Sequence, residues 1–294
     1  MQPWLQMAAR YAIKERLPEN PDIWNSKGDR IYPRRDYDED INSRPLLANH
    51  LGADVAFHLH TNGVDNAAVS GTRAVVQPGR GDDLLLGRNV LCYMRELIQS
   101  SEGYGEFPVV EEPFQEDKGE NRLSRMPSVI VEMAFHTNPV DAAALRDPLF
   151  RTATMKGVEK GYRLFRQGRG CVPLKADPIE GIRLPAGGRA QVDVVFEGYP
   201  QYPIELVTAN VGCPPGWTCT DGRVRIETPD AKPSQITLRC EKAGSAPIFW
   251  DTRVVDDDGV KSPPVRHWVQ CIRRPGGTVA SPAVPDGVEA ATAG

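Results

Sequence analysis

Two short stretches place ionisable side chains where a buried strand would end. In residues 129–138, VIVEMAFHTN, the apolar Val129, Ile130, Val131 and Met133 bracket one carboxylate, Glu132. A β-branched apolar run that follows Pro127 reads as a strand buried on both faces. Burying an unpaired carboxylate is costly, so packing does not account for Glu132. It makes sense at the strand's C-terminal end, where open α/β sheets place their ligand crevice. In residues 53–62, ADVAFHLHTN, alternation puts Val55, Phe57 and Leu59 on one face and Ala56, His58 and His60 on the other. A histidine and a glutamate at the ends of two buried strands point to zinc-assisted hydrolysis.

The elements around these stretches follow from periodicity. Leu5, Ala8, Ala12 and Leu17 have helical spacing over residues 4–17, and Pro18 ends the helix. Residues 30–34 read as a short strand, and 37–52 as a helix carrying Arg44, Leu47 and Leu51. Residues 71–76, GTRAVV, form another strand, and Leu86, Val90, Leu91, Met94 and Leu97 mark an amphipathic helix. Residues 100–122 are polar and rich in acids; so long a loop inside a compact domain is expected to border the cleft. Asp141 is placed to cap a short helix, and a last amphipathic helix runs through Phe150, Ala153, Val158 and Phe165.

The grammar changes after a linker at residues 168–178. Runs at 191–196, 204–207, 223–226, 235–240, 249–255 and 267–272 alternate and are rich in Val, Ile and aromatics. Short strands at this spacing predict an immunoglobulin-like antiparallel β-sandwich over 179–274. The remainder, 275–294, is Gly, Ala, Pro and Ser, the composition of a disordered tail. The predicted fold of residues 1–167 is α/β, a mixed and mainly parallel sheet flanked by helices.

Residues 29–165 resemble the zinc-dependent N-acetylmuramoyl-L-alanine amidases of the amidase-3 type. The resemblance rests on Arg44, Ala48, Asn49, Ala53, Asp54, His60 and Asn62, then Pro127, Val129, Val131, Glu132, Phe135 and Asn138, in order and in strand context. It implies a phosphorylase/hydrolase-like fold and cleavage of the amide joining N-acetylmuramic acid to L-alanine of the stem peptide. By motif match, His60 takes the place of a zinc ligand and Glu132 that of the catalytic glutamate, general base and then general acid. Asn62, which also supports the strand end, and His136, in the loop beyond, are candidate substrate contacts. Arg44 and Asn49 are read as holding their helix in place, and His58 as core or as support for His60. The family's first zinc histidine, in a Gly-His-Gly-Gly loop, and its ligand glutamate before the first helix have no counterpart here; no histidine precedes His50. Two other readings stay open: a wall-binding protein without catalysis, and a zinc hydrolase of carboxypeptidase-like type.

Composition sets limits on partners. The chain has 294 residues, 25% of them charged, with a net charge of -4, so no basic stripe argues for nucleic acid. No apolar run is long enough to cross a bilayer. A peptidoglycan substrate implies export to the periplasm or beyond; with no signal peptide visible, the start reads as incomplete. Five of the six cysteines lie after residue 170, which fits disulfides in an oxidising compartment. Cys213 and Cys219 are close enough for a loop staple, and Cys240 and Cys271 end strand-like runs, whereas Cys92 reads as a buried thiol. The sandwich is a candidate contact for the wall or for a protein partner. The acids at 111–120, His50 and His267 read as solvated surface.

Overall fold

A computed structural model describes residues 8–231 and 233–274. The chain divides into two units: one is the chain up to Lys175 with Glu197–Gln201 and Asp256–Lys261, the other Ala176–Phe196, Tyr202–Val255 and the chain from Ser262.

The first unit is built on a four-stranded sheet of β1 (Ala56–Asn62), β2 (Arg73–Val76), β3 (Phe114–Gln115) and β4 (Ser128–Phe135), in the order β1-β4-β2-β3. β1 and β4 are parallel, β4 and β2 antiparallel, and β2 and β3 parallel, so the sheet is mixed. β4 is central, and Val129, Ile130, Val131, Ala134 and Phe135 are buried, as a strand covered on both faces requires. β1 pairs only with β4 among the described residues.

Helices cover both faces. α4 (Gly81–Ser100) and α7 (Pro148–Arg166) pack on the face that carries Phe57, whose ring meets Tyr162 edge-on at 5.7 Å. They approach to backbone contact because α7 presents glycines: a Cβ on Gly157 would lie 2.5 Å from Met94 Cα, and one on Gly161 2.7 Å from Val90 Cα. α3 (Arg35–Leu51) and α5 (Gly119–Leu123) lie over the opposite face, and α1 (Ala9–Arg16) and α2 (Pro21–Trp24) pack on α3. α6 (Pro139–Ala144) and α7 start by one device, a proline at the first helical position behind an Asn or Asp cap. Asn138 accepts from Val140 N and Asp141 N, and Asp147 from Leu149 N. The cap of α6 is therefore Asn138; Asp141 Oδ2 instead accepts from Gly71 N and Phe135 N, tying β4's end to the start of β2.

Several expectations change. Residues 30–34 form no strand, since Ile31 is 94% exposed and the segment has no face to bury. The predicted first helix is seen as α1, with residues 4–7 outside the described part, as is the predicted tail. The long polar loop holds β3 and α5. Cys92 is not a lone thiol: it lies within disulfide distance of Cys171, with Cα atoms 5.9 Å apart. The expected linker is fastened there to α4, Asn89 bonding to Arg169 O and Tyr93 Oη to Gly170 O.

In the second unit a five-stranded sheet has the order β10-β9-β12-β13-β6. Its strands are β6 (Ile182–Pro185), β9 (Ile204–Gly212), β10 (Gly222–Ile226), β12 (Ile248–Val255) and β13 (Val265–Ile272). A separate ribbon pairs β7 (Arg189–Asp193) with β11 (Gln235–Arg239); the two-residue strands β5 (Lys175–Ala176) and β8 (Phe196–Glu197) fall at unit boundaries in sequence. All sheet pairings are antiparallel except β13 with β6, a strand the sequence analysis did not foresee. Alternation sets the buried faces: Ile204, Leu206, Thr252, Val254 and Val269 on the sheet, Ile236 and Leu238 on the ribbon. Cys240, just past β11, and Cys271 of β13 lie within disulfide distance, as do Cys213 and Cys219. His267, expected at the surface, is buried and shares a hydrogen bond with Thr252 Oγ1 at 2.9 Å, because its position in β13 faces inward.

Candidate active site

Parallel pairing aligns the two stretches that carry the ionisable residues. β1 and β4 run Cα to Cα from Ala56 with Ser128 to His60 with Glu132, and Asn62 meets Phe135 after a shift past His60. Residues level across parallel strands project to one face, so His58, His60 and Glu132 share it.

That face is the one under α3 and α5. Glu120 Oε1 lies 2.9 Å from His60 Nε2 and 3.7 Å from His58 Nδ1, and accepts a short hydrogen bond from Arg44 Nη1. Arg44 Nη1 also stands 3.2 Å from His60 Nε2, and its Nη2 donates to Asp40 Oδ2 at 2.9 Å. Arg44 and a protonated Nε2 cannot donate to each other, so both donate to Glu120, which is the sink for two N–H groups. α5 is pinned beneath by polar contacts: Asn121 Nδ2 donates to Val75 O, and Arg80 Nη1 to the carbonyls of Asn121 and Ser124.

Burial and charge separate the titrating groups. The hydrogen bond to Glu120 raises the His60 pKa above its ordinary value, overcoming burial. Burial holds His58 neutral, pushing its pKa down to about 4. Burial would raise Glu120, but the His60 hydrogen bond and the Arg44 charge outweigh it and keep the carboxylate ionised. Burial raises Glu132, with His60, Lys118 and His136 pulling the other way. Glu132 Oε2 is buried without a hydrogen-bond partner, and no ion pair involves Glu132 among the described residues. Arg125 is exposed, its backbone N–H donating to Asn49 Oδ1.

The candidate residues beyond the strands also meet. His136 N donates to Asn62 O at 2.9 Å, and its Nδ1 lies 3.1 Å from Thr61 Oγ1. The ring lies against Gly63, where a Cβ would come within 2.6 Å of Nε2. Asn62 Oδ1 accepts from Gly63 N at 2.8 Å. His136 is exposed at this rim, and His50 is exposed as expected.

Two residues of the cluster were read differently from sequence. Glu120 was counted with the solvated acids, yet it is 6% exposed, because it opens α5 under the sheet. Arg44 reaches His60 and Glu120 as well as Asp40, whereas Asn49 alone serves the helix end, bonding to Leu123 O. No local signal in the acidic run distinguishes Glu120 from its neighbours; only its contact with β1 does.

These donors do not fit a three-ligand zinc centre. His60 Nε2 is engaged by Glu120 with a guanidinium beside it, and His58 Nδ1 is 3.7 Å from the same carboxylate oxygen. Among the described residues no group of three or more His, Cys, Asp or Glu side chains is arranged to hold a metal ion.

Residues 23–162, just under half of the chain, match the model of the Amidase_3 family, N-acetylmuramoyl-L-alanine amidase. No curated protein matches the chain significantly. Among solved structures, the chain is similar to the CwlD amidase from Clostridioides difficile in complex with the GerS lipoprotein: 15% identity, 48% of this chain and 69% of that one, TM-score 0.42. For the catalytic domain of CwlV, an N-acetylmuramoyl-L-alanine amidase from Bacillus (Paenibacillus) polymyxa var. colistinus, the figures are 19% identity, 55% and 82% coverage, and TM-score 0.36. For the N-acetylmuramyl-L-alanine amidase Ami1 from Mycobacterium smegmatis they are 20%, 44% and 61%, and 0.37. The match over residues 23–162 supports a peptidoglycan amidase function for this part of the chain.

Proposed function

We propose that Glu132 carries the proton in this domain's reaction, at the bond between the lactyl group of N-acetylmuramic acid and L-alanine. One observation supports the reading above the others: a half-buried carboxylate with a partnerless oxygen stands level with His60 where two parallel strands end. Ionised Glu132 accepts a proton from the attacking water as oxygen adds to the carbonyl carbon. The C–N bond then breaks, and the same carboxyl returns its proton to the alanine nitrogen. His60 and Lys118, close enough to lower the Glu132 pKa, supply positive potential in which a developing oxyanion is favoured. Arg44 and Glu120 hold His60 in place; Asn62 shapes the rim and His136 contacts the stem peptide.

We read the second unit as an immunoglobulin-like sandwich, its two layers linked through Cys240 and Cys271 as such folds join facing sheets. Three cysteine pairs at disulfide distance fit a protein that works in the periplasm or outside the cell. No described helix is long and apolar enough to cross a membrane.

Digestion of purified sacculi tests the activity. New L-alanine amino termini with intact glycan are expected, and Glu132→Gln abolishes them. A freed C-terminal amino acid would instead establish the carboxypeptidase-like reading, and binding to sacculi with no product the non-catalytic one.

A further inference from the structure

In the second unit, a groove of about 540 Å³ opens between the inner faces of the five-stranded sheet and the ribbon. Ligand sites commonly run from roughly 300 to 1,000 Å³. Its floor is apolar: Ile236 and Leu238 of β11, Ile248 and Trp250 of β12, and Val269 of β13. Its mouth is polar, with Trp217 at the lip beside Asp221, Arg239, Glu241 and Lys242.

Trp217 is held by four separate devices. Cys213 and Cys219, whose Cα atoms are 5.7 Å apart, close a short loop around it. Trp217 N donates to Pro214 O at 3.1 Å, turning the loop back on itself. Lys242 Nζ stands 5.0 Å over the ring centroid and donates to Gly216 O. Gly244 lets the chain pass against the indole, since a Cβ there would lie 2.7 Å from Trp217 Cζ2. The ring is nonetheless only half-buried. Core packing does not require an indole to be fixed at a surface. Binding does benefit, because a ligand then meets a platform whose rotamer freedom is already lost.

The chemistry of the lining selects a ligand class. Cations and anions alternate around the mouth, and Arg239 and Glu241 have no ion-pair partner among the described residues. Opposed charges rule out the one-signed field that a polyanion needs. Threonine hydroxyls at 218 and 220, on the loop that carries Trp217, add donors that also accept. An aromatic plane set among balanced donors and acceptors suits a pyranose, which has an apolar C–H face and a rim of hydroxyls.

We propose that this groove binds a glycan, with Trp217 as its stacking platform, and that the glycan is the polysaccharide strand of the wall polymer attacked by the first unit. The last clause rests on the amidase reading; the groove's affinity for sugar does not. The full chain is titrated with a soluble N-acetylglucosamine tetramer, followed by calorimetry and tryptophan fluorescence. Saturable binding is expected, about tenfold weaker in Trp217→Ala. Arg239→Ala, an exposed change that cannot unfold the sheet, is expected to weaken it severalfold. Glu132→Gln retains the affinity even though hydrolysis is lost, so the two readings fail separately. Trp217→Ala should slow release of product from whole sacculi. An intact chain that ignores the tetramer, equal affinity in both groove variants, or saturation by a free stem peptide in place of the sugar overturns the proposal.

Discussion

Substituting His58 should change how stability responds to pH, and the size of the change follows from its burial. The ring is 5% exposed, Nε2 has no partner, and burial lowers the pKa from 6.5 to about 4. Between these two values the unfolded chain binds a proton at this position and the folded chain does not. Stability therefore falls as pH drops below about 6.5, and the loss is complete once pH passes below about 4. At about 1.4 kcal/mol for each tenfold change in proton concentration, the full effect is about 3 kcal/mol, and about 2 kcal/mol is lost by pH 5. Other groups titrate over the same range, so the quantity to measure is a difference. Urea unfolding of the parent and of His58→Gln is followed at half-unit steps from pH 7.5 to 4.5. The two free-energy curves should converge as pH falls, with a slope between them of up to about 1.4 kcal/mol per pH unit. Parallel curves would show that His58 takes up its proton in the folded state, and the buried neutral ring would have to be abandoned.

The acid limb of kcat/KM for a soluble muropeptide should lie above the ordinary carboxylate value of 4.5, because burial raises Glu132 and the base works only when ionised; a limb below that value refutes the assignment. Gly157→Ala gains helix propensity of about 1 kcal/mol but drives a Cβ to 2.5 Å from Met94 Cα, which only a helix shift can relieve; a net loss of about 2 kcal/mol is expected by denaturant midpoint, and a gain in stability would contradict the backbone contact. Elemental analysis of the purified chain should find well below one zinc per molecule, since His60 Nε2 is already committed to Glu120; one ion per chain that disappears in His60→Ala would show that the cluster reopens. Cys92→Ser should destabilise by about 4 kcal/mol in the unreduced protein and have little further effect under reductant, because the pair closes a span of 79 residues.

Much of this arrangement was legible before any coordinates. Alternation and short β-branched apolar runs can both be read locally, so β1, β4 and all but one of the main strands of the second unit fall close to where the sequence puts them. The same alternation assigns His58 and His60 to one face, and the end of the apolar run marks Glu132. β6 escaped because four residues ending in proline carry too little pattern, and residues 30–34 misled because alternation without burial makes no strand.

Everything that depends on distant neighbours had to wait for the fold. Glu120 and Asp117 sit three positions apart in one acidic run, yet one lies under β1 and the other at the surface, since only the path of α5 brings position 120 to His60. Cys92 could not name Cys171, because a thiol's partner is set by where 79 intervening residues lead the chain. Local covalent stereochemistry dictates which way a side chain points, and that is written in each short segment. What it meets is dictated by packing between segments far apart in the chain, and here that packing made an arginine, two histidines and a glutamate into one cluster.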